Sequence, residues 1–396
     1  MGKSAPVCTI SVLCDRVGDA GGAERYWETV VPALLARGIT VRLMARDVTD
    51  AGRYGVEALA VPWGSEDEPA SPDAARIVAR ELERTQPDAV ITASVFDAGV
   101  LDAVRRAPTR WLARVHDHRA FCPNGDRVYP QFSAPCTQAM GGACRRGTLL
   151  HGCVHGPRPA SFRAITAREN VRDRLASADR VLVSSEHMRA TCVTNGIEDR
   201  RIFITPPPLP DEAYAPAPLP RPAESSLLFA ARLTPRKGLR SLIGALARLP
   251  QAERPRLVVA GTGEDEERAA RADAERLGVE VVWRGKLSER DLRAAIDAAT
   301  AVALPSLWPE PFGLVGIEAQ ARGRPAVAYR VGGIAEWIGD AGLAVERDDQ
   351  AALATAIRKV FDQAAWPVFS LAAWRRAEAY RLPAHVDRFL ELCDAA

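Results

Sequence analysis

Short apolar runs alternate with amphipathic stretches along nearly the whole chain, and the series occurs twice. In the first half, CTISVLC, ITVRLMA, DAVITAS, TRWLARV and RVLVSS read as strands, with ERYWETVVPALLARG and AARIVARELERT as helices among them. In the second half, SLLFAARL, RLVVAG, VEVVWRG, TAVALPS and RPAVAYR are separated by LRSLIGALARL, DEERAARADAERLG and LSERDLRAAIDAA. Strands that alternate with helices require crossover connections, so the fold class is α/β with parallel sheets. A chain of 396 residues accommodates two such domains. Between the halves, eight of the 17 residues from Pro206 to Pro222 are proline. Proline has no backbone N–H to give a ladder, so this stretch reads as a connector. The expected organisation is a first domain over 1–205, a connector over 206–224, a second domain over 225–370 and terminal helices over 371–396. The last stretch, WRRAEAYRLPAHVDRFLELC, is helical in pattern and interrupted at Pro383. Ser288, with Asp291 three residues on, forms a capping arrangement.

Charge and hydropathy narrow the function classes. Lys+Arg is 52 against Asp+Glu 50, a net charge of +2, which lacks the basic excess of a nucleic-acid binder. No run approaches the ~20 apolar residues of a membrane-spanning helix. The apolar stretch Ser4–Cys14 reads as a first buried strand rather than a signal-peptide core, which places the protein in the cytoplasm. No strongly basic amphipathic helix is evident, while peripheral membrane contact stays open. Eight cysteines are too few for a disulfide scaffold of this size.

Ligands of parallel sheets sit at the carboxyl ends of strands, and that is where the chemistry-bearing motifs fall. EPFGLVGIEAQARGRP follows TAVALPS and sets Glu310 on a loop and Glu318 inside a helix, two acceptors at different depths for hydroxyls of one ligand. The helix amides around Gly313 to Val315 would hold an anion. AARLTPRKG puts Arg232 and Lys237 after the first strand of the second half, a fork and a point charge suited to a pyrophosphate. AGTGE, with Gly263, is a glycine turn at the next strand end. In the first half, DAGGAE joins strand to helix, and Gly21 and Gly22 permit close approach of negative charge. This loop lacks the GxGxxG pattern of nicotinamide enzymes. RVHDH sets His116 after a strand, where an imidazole can donate to a sugar hydroxyl or a phosphate.

In order and spacing, GGAE, the HD pair, ARLTPRKG and EPFGLVGIEAQARGRPAVAYRVGGIAEWI resemble the retaining glycosyltransferases of family 4 across essentially the whole chain. The resemblance implies the GT-B fold: two facing Rossmann-like domains, a cleft between them, and a C-terminal helix returning to the first domain. It implies transfer of a sugar from a nucleotide-sugar donor with retention, by front-face displacement in which the donor phosphate helps to deprotonate the acceptor. A UDP-sugar is the leading donor, and the acceptor is a hydroxyl of a glycan, a lipid-linked or a small molecule. Carried over, Glu318 would hold the ribose hydroxyls and Glu310 a hydroxyl of the donor sugar. Amides of Phe312, Gly313, Leu314 and Val315 would meet phosphate and sugar. Arg232 and Lys237 would neutralise the leaving diphosphate, and backbone from Arg284 to Leu287 would read the base. His116 would touch the donor sugar, and Gly22 would let the first domain close over the diphosphate. No metal is then required for chemistry. Where the family carries an Asn-Gly-Val-Asp-like element before its second domain, this chain has PPPLPD.

Four of the eight cysteines (Cys122, Cys136, Cys144, Cys153) and four of the six histidines fall between His116 and His155. Spacings of 14, 8 and 9 positions lack the CxxC pairs of a strong zinc site. The favoured reading is a loop lid with free thiols on the acceptor side, with a structural zinc on these cysteines as the alternative. The rival functions are an epimerase or phosphorylase on the same fold and a non-catalytic sugar-nucleotide- or metal-binding scaffold.

Overall fold

A computed structural model describes residues 7–18, 21–64, 70–130 and 134–394. Asp19 and Ala20 of the glycine loop, the start of the Ser4–Cys14 run and residues 131–133 of the Cys/His-rich segment lie outside them. The chain divides into two compact units, residues 1–208 with 382–396, and residues 209–381.

The first unit carries β1 (Thr9–Val17), β2 (Thr40–Val48), β3 (Ala58–Ala60), β4 (Ala89–Ala93), β5 (Arg110–Val115), a small hairpin of β6 (Val128–Tyr129) and β7 (Ala134–Pro135), then β8 (Arg180–Val183) and β9 (Ile202–Ile204). Seven strands form one sheet in the order β3-β2-β1-β4-β5-β8-β9, and every neighbouring pair is parallel. The order reverses between β1 and β4, which opens a crevice at their carboxyl ends. Helices cover both faces. Ile10 and Val12 enter one layer with Trp27, Leu34 and Phe389, whereas Leu13 enters the other with Val78, Leu101 and Val171. That alternation is the period of two along a strand.

The terminal helix Leu382–Cys393 belongs to this unit. Its Phe389 meets Trp27 of helix Gly22–Ala36 edge-on at 6.3 Å, and the Tyr26 hydroxyl lies 2.8 Å from His385 Nε2. A bond from His385 to the Pro206 backbone leaves Nε2 as the acceptor for Tyr26. Pro383 falls in the first turn of this helix, where a missing N–H breaks no ladder, so the interruption lies ahead of it, between Ala377 and Leu382.

The second unit contains β10 (Ser226–Ala230), β11 (Arg256–Ala260), β12 (Val281–Gly285), β13 (Ala301–Leu304), β14 (Ala326–Tyr329) and β15 (Gly342–Val345), again all parallel, in the order β12-β11-β10-β13-β14-β15. The reversal here lies between β10 and β13. Ser288 caps helix Glu289–Ala298, accepting from the Asp291 amide at 3.1 Å while its hydroxyl donates to the Asp291 carboxylate at 2.7 Å.

The boundaries fall at Pro208/Leu209 and Arg381/Leu382 rather than at 205, 224 and 370. The proline-rich stretch packs on the second unit because its non-proline residues donate where proline cannot. Leu209 bonds to Tyr380, Ala215 to Ala321 and Leu219 to Arg322 through their backbones. Among the described residues, no helix is long and apolar enough to cross a membrane.

All six histidines belong to the first unit. Burial pushes His187 down to about 4 and His385 to about 3, and holds His116 well below its ordinary value. Above pH ~6.5 these imidazoles are neutral in both folded and unfolded chains. Below it the unfolded chain takes up protons that the fold refuses, and stability falls until each folded value is reached. At pH 5 the loss is about 2 kcal/mol for each of His187 and His385. Urea melts at pH 7.5 and 5, with hydrogen exchange to localise opening, are expected to show the first unit destabilised and the second little changed.

Candidate active site

At the carboxyl edge of the second sheet, Glu310 is the best-anchored polar side chain. Lys237 Nζ donates to its Oε1 at 3.0 Å and to its Oε2 at 2.8 Å. Oε2 also accepts from the Trp308 indole at 2.8 Å and from the Ser306 hydroxyl at 3.0 Å. Oε2 is therefore saturated, whereas Oε1 has a single partner and keeps a lone pair for a ligand. The Glu310 side chain is 12% exposed and that of Lys237 20%. Burial alone would raise the Glu310 pKa, but the Lys237 charge and the bonds from Lys237, Trp308 and Ser306 outweigh it, and the carboxyl is held below its ordinary value. Lys237 and Arg236 both lie over the Trp308 ring, at 5.1 and 4.8 Å from its centroid.

The backbone around Glu310 is crowded. Gly332 (φ +52) approaches so closely that a Cβ there would stand 2.0 Å from the Glu310 carbonyl oxygen. Gly333 N bonds that same oxygen at 2.8 Å. Downstream, Gly313 caps the short helix Leu314–Gln320, and the Trp337 indole donates to the Phe312 carbonyl at 2.6 Å, fixing the turn. At seven residues the helix has little macrodipole, so an anion here would meet individual amides of Leu314 and Val315 rather than a strong field. Glu318 lies in this helix, half-buried.

Arg232 is exposed, with no hydrogen bond or ion pair among the described residues, so its guanidinium is uncommitted. Gly263 sits against the preceding loop, and a Cβ on it would lie 2.0 Å from the Leu233 carbonyl oxygen. Glycine is required there by the protein's own backbone crossing, whatever else approaches. Arg284, exposed at the end of β12, and half-buried Leu287 complete the edge.

In the first unit a depression opens at the reversal between β1 and β4, lined among others by Asp15, Arg16, Glu24, Trp27, Ser94 and His116. His116 follows β5 and meets the Tyr26 ring edge-on at 5.5 Å. Burial, reinforced by the Arg114 and Arg119 charges, keeps this imidazole neutral, and its Nε2 is buried with no hydrogen-bond partner. Gly21 and Gly22 open the helix at the rim, with Gly21 as its N-cap.

The Cys/His-rich segment has structure of its own: a turn at His118–Ala120, the β6–β7 hairpin and helix Gly142–His151. All eight cysteines are free thiols. Burial raises the Cys122, Cys144 and Cys153 pKa values, Cys153 to about 11, and neighbouring cysteines add to the effect. A structural zinc site needs about four ligands turned on one centre. Among the described residues no group of three His, Cys, Asp or Glu side chains is placed to hold a metal ion.

Sequence reasoning found Lys237 and Glu310 but not that they pair, and it passed over Ser306 and Trp308. The signal was present in SLWPEPFG, where a tryptophan stands two residues before the glutamate. It also passed over Glu24 and Trp27, which read as an ordinary helix.

Comparison with known proteins identifies the family. Residues 20–213 match the model for Glycosyltransferase Family 4, and residues 212–368 that for Glycosyl transferases group 1. The D-inositol 3-phosphate glycosyltransferase of Xylanimonas cellulosilytica is 30% identical over 80% of this chain and 77% of its own. Among solved structures, a glycosyltransferase from Rickettsia africae superposes with a TM-score of 0.74 at 16% identity, covering 98% of both chains. Anabaena HepE in complex with UDP gives 0.71 at 17% identity over 97% of this chain and 99% of that one. With two Rossmann-like units of the GT-B type and both family models matched along its length, the chain belongs to the family 4 glycosyltransferases.

Proposed function

We propose that the protein transfers a hexosyl group, with retention, from a nucleotide-sugar donor to a hydroxyl of a glycan, lipid-linked or small-molecule acceptor, a UDP-sugar being the first donor to try. The observation that carries this reading is the Lys237–Glu310 pair at the reversal of the second sheet. It offers one open carboxylate oxygen for a sugar hydroxyl and one cation for phosphate, with the uncommitted Arg232 nearby in sequence. The UDP complex of Anabaena HepE supports the choice of donor.

The bond that breaks joins the anomeric carbon to the diphosphate, and its electron pair leaves with the diphosphate. Arg232 and Lys237 would stabilise that charge as it develops, so the reading calls for no metal ion in the chemistry. The acceptor oxygen forms the new bond on the face the diphosphate leaves, and its proton passes to a donor phosphate oxygen. Glu310, fixed by Ser306, Trp308 and Lys237, would hold a sugar hydroxyl through Oε1. Glu318 would hold the ribose, amides from Phe312 to Val315 the phosphate and sugar, and backbone from Arg284 to Leu287 the base.

Glu318→Ala is expected to weaken UDP-sugar binding roughly 10-fold or more through lost charge-assisted bonds to the ribose. Calorimetry checks this, and an unchanged Kd would refute the ribose assignment. Lys237→Met leaves the Glu310 carboxylate without its counter-ion and should cost about 3 kcal/mol in chemical denaturation. Adding Glu310→Gln should recover part of that loss without restoring turnover. A double variant less stable than Lys237→Met alone would contradict the pairing.

A further inference from the structure

From Arg127 to Arg168 the sequence holds six arginines and no aspartate or glutamate, in a chain whose charges otherwise nearly cancel. Part of that charge is answered. Arg127 and Arg168 are buried, and Arg145 holds the Glu169 carboxylate through two bonds, at 3.0 and 2.6 Å. Arg146, Arg158 and Arg163 are exposed, and among the described residues none of the three makes a hydrogen bond or an ion pair.

The same stretch leaves apolar surface uncovered. In helix Gly142–His151 the one buried position is Gly147, where a Cβ would stand 2.8 Å from the Cys153 sulfur. Its two leucines, Leu149 and Leu150, are 49% and 66% exposed. A helix of a globular protein normally buries its leucines, so this arrangement is inverted. Among the described residues, no other two sequence neighbours are both exposed large hydrophobics. Arg146 precedes the leucines by three and four positions and shares their face. Arg145 also donates to the Thr166 hydroxyl at 3.0 Å, which ties this helix to helix Arg158–Leu175 one turn beyond Arg163. Both helices thus bring unpaired cations to the region of the leucines.

We propose that this surface of the Cys/His-rich segment docks on an anionic lipid bilayer, with Leu149 and Leu150 entering the headgroup layer and Arg146, Arg158 and Arg163 meeting lipid phosphates. Exposed apolar side chains beside uncommitted cations match such a surface on both counts. A second copy of the chain fits less well, because a two-fold contact would set arginines against arginines. A soluble polyanion would answer the arginines and leave the leucines in water. The contact does not depend on the proposed reaction; joined to that reaction, it selects the lipid-linked class of acceptor.

Sedimentation of the full chain with vesicles tests this, using phosphatidylcholine alone and phosphatidylcholine mixed with phosphatidylglycerol. Binding is expected with the mixed vesicles only, and weakens as salt is raised. Leu149→Ser with Leu150→Ser should weaken it roughly 10-fold or more. Arg146→Ser with Arg163→Ser should weaken it roughly 20-fold. These side chains are exposed, so both variants should keep the wild-type Tm and the wild-type response to UDP. Val368→Ser with Leu371→Ser, which removes an exposed apolar pair from the second unit, should bind as the wild type does. No binding to mixed vesicles, equal binding to the two compositions, or full binding by the leucine variant overturns the proposal. Heparin that binds wild type and leucine variant alike, while vesicles bind neither, assigns the arginines to a soluble polyanion instead. The Tm shift with UDP reads the donor site separately. Its presence without vesicle binding removes this proposal alone, and its absence with vesicle binding removes the donor reading alone.

Discussion

Both sheets are wholly parallel, and everything functional in the molecule follows from that constraint. A parallel pair cannot be closed by a tight turn, so the chain must return by a crossover connection, in most cases a helix. All strand exits then lie on one edge, and all helix entries lie beside them. Where the strand order reverses, neighbouring crossovers run to opposite faces and the edge is left open. The second unit reverses between β10 and β13, and Lys237 and Glu310 come from the loops that leave these two strands. They are 73 residues apart in sequence and within 3.0 Å in space. The first unit reverses between β1 and β4, and its depression is lined by the ends of β1 and β4, the start of helix Gly22–Ala36 and His116 just after β5.

An ion pair in a mostly buried place is poor value as stabilisation, since desolvating both charges cancels much of their attraction. Glu310 nevertheless collects two oxygens' worth of donors from Lys237, an indole and a hydroxyl. Fixing a carboxylate so completely makes sense if one of its oxygens has to be in a set position before a ligand arrives. Gly332 and Gly333 serve the same end from the backbone side, one by standing clear of the Glu310 carbonyl and the other by bonding it. Rigidity is concentrated where reorganisation during a reaction would be most costly.

The strands were legible because burial on both faces writes them as apolar β-branched runs, as in AVITA and RVLV. Helix Arg158–Leu175 was not, because RPASFRAITARENVRDRL carries arginine at positions that face inward. Arg168 is 1% exposed and lies over the Phe96 ring at 4.7 Å, so charge blurs the apolar stripe. β3 and β9, three residues each, are too short to show any period. At the site, Glu310 and Lys237 were readable from motif spacing. Their partnership with Trp308 and Ser306 was not, because it depends on which way side chains leave an irregular loop.

Trp27 marks the deeper limit. On the sequence it sits in the apolar stripe of helix Gly22–Ala36, one of the residues that make the helix pack, and nothing distinguishes it from Val30 or Leu34. Only the fold shows that its ring is in the core while its N–H goes unanswered. The same holds for His116, neutral by burial and without a partner on Nε2. Each such group costs the fold roughly 1–3 kcal/mol relative to a satisfied one. A sequence under no other demand would have placed an apolar side chain at either position.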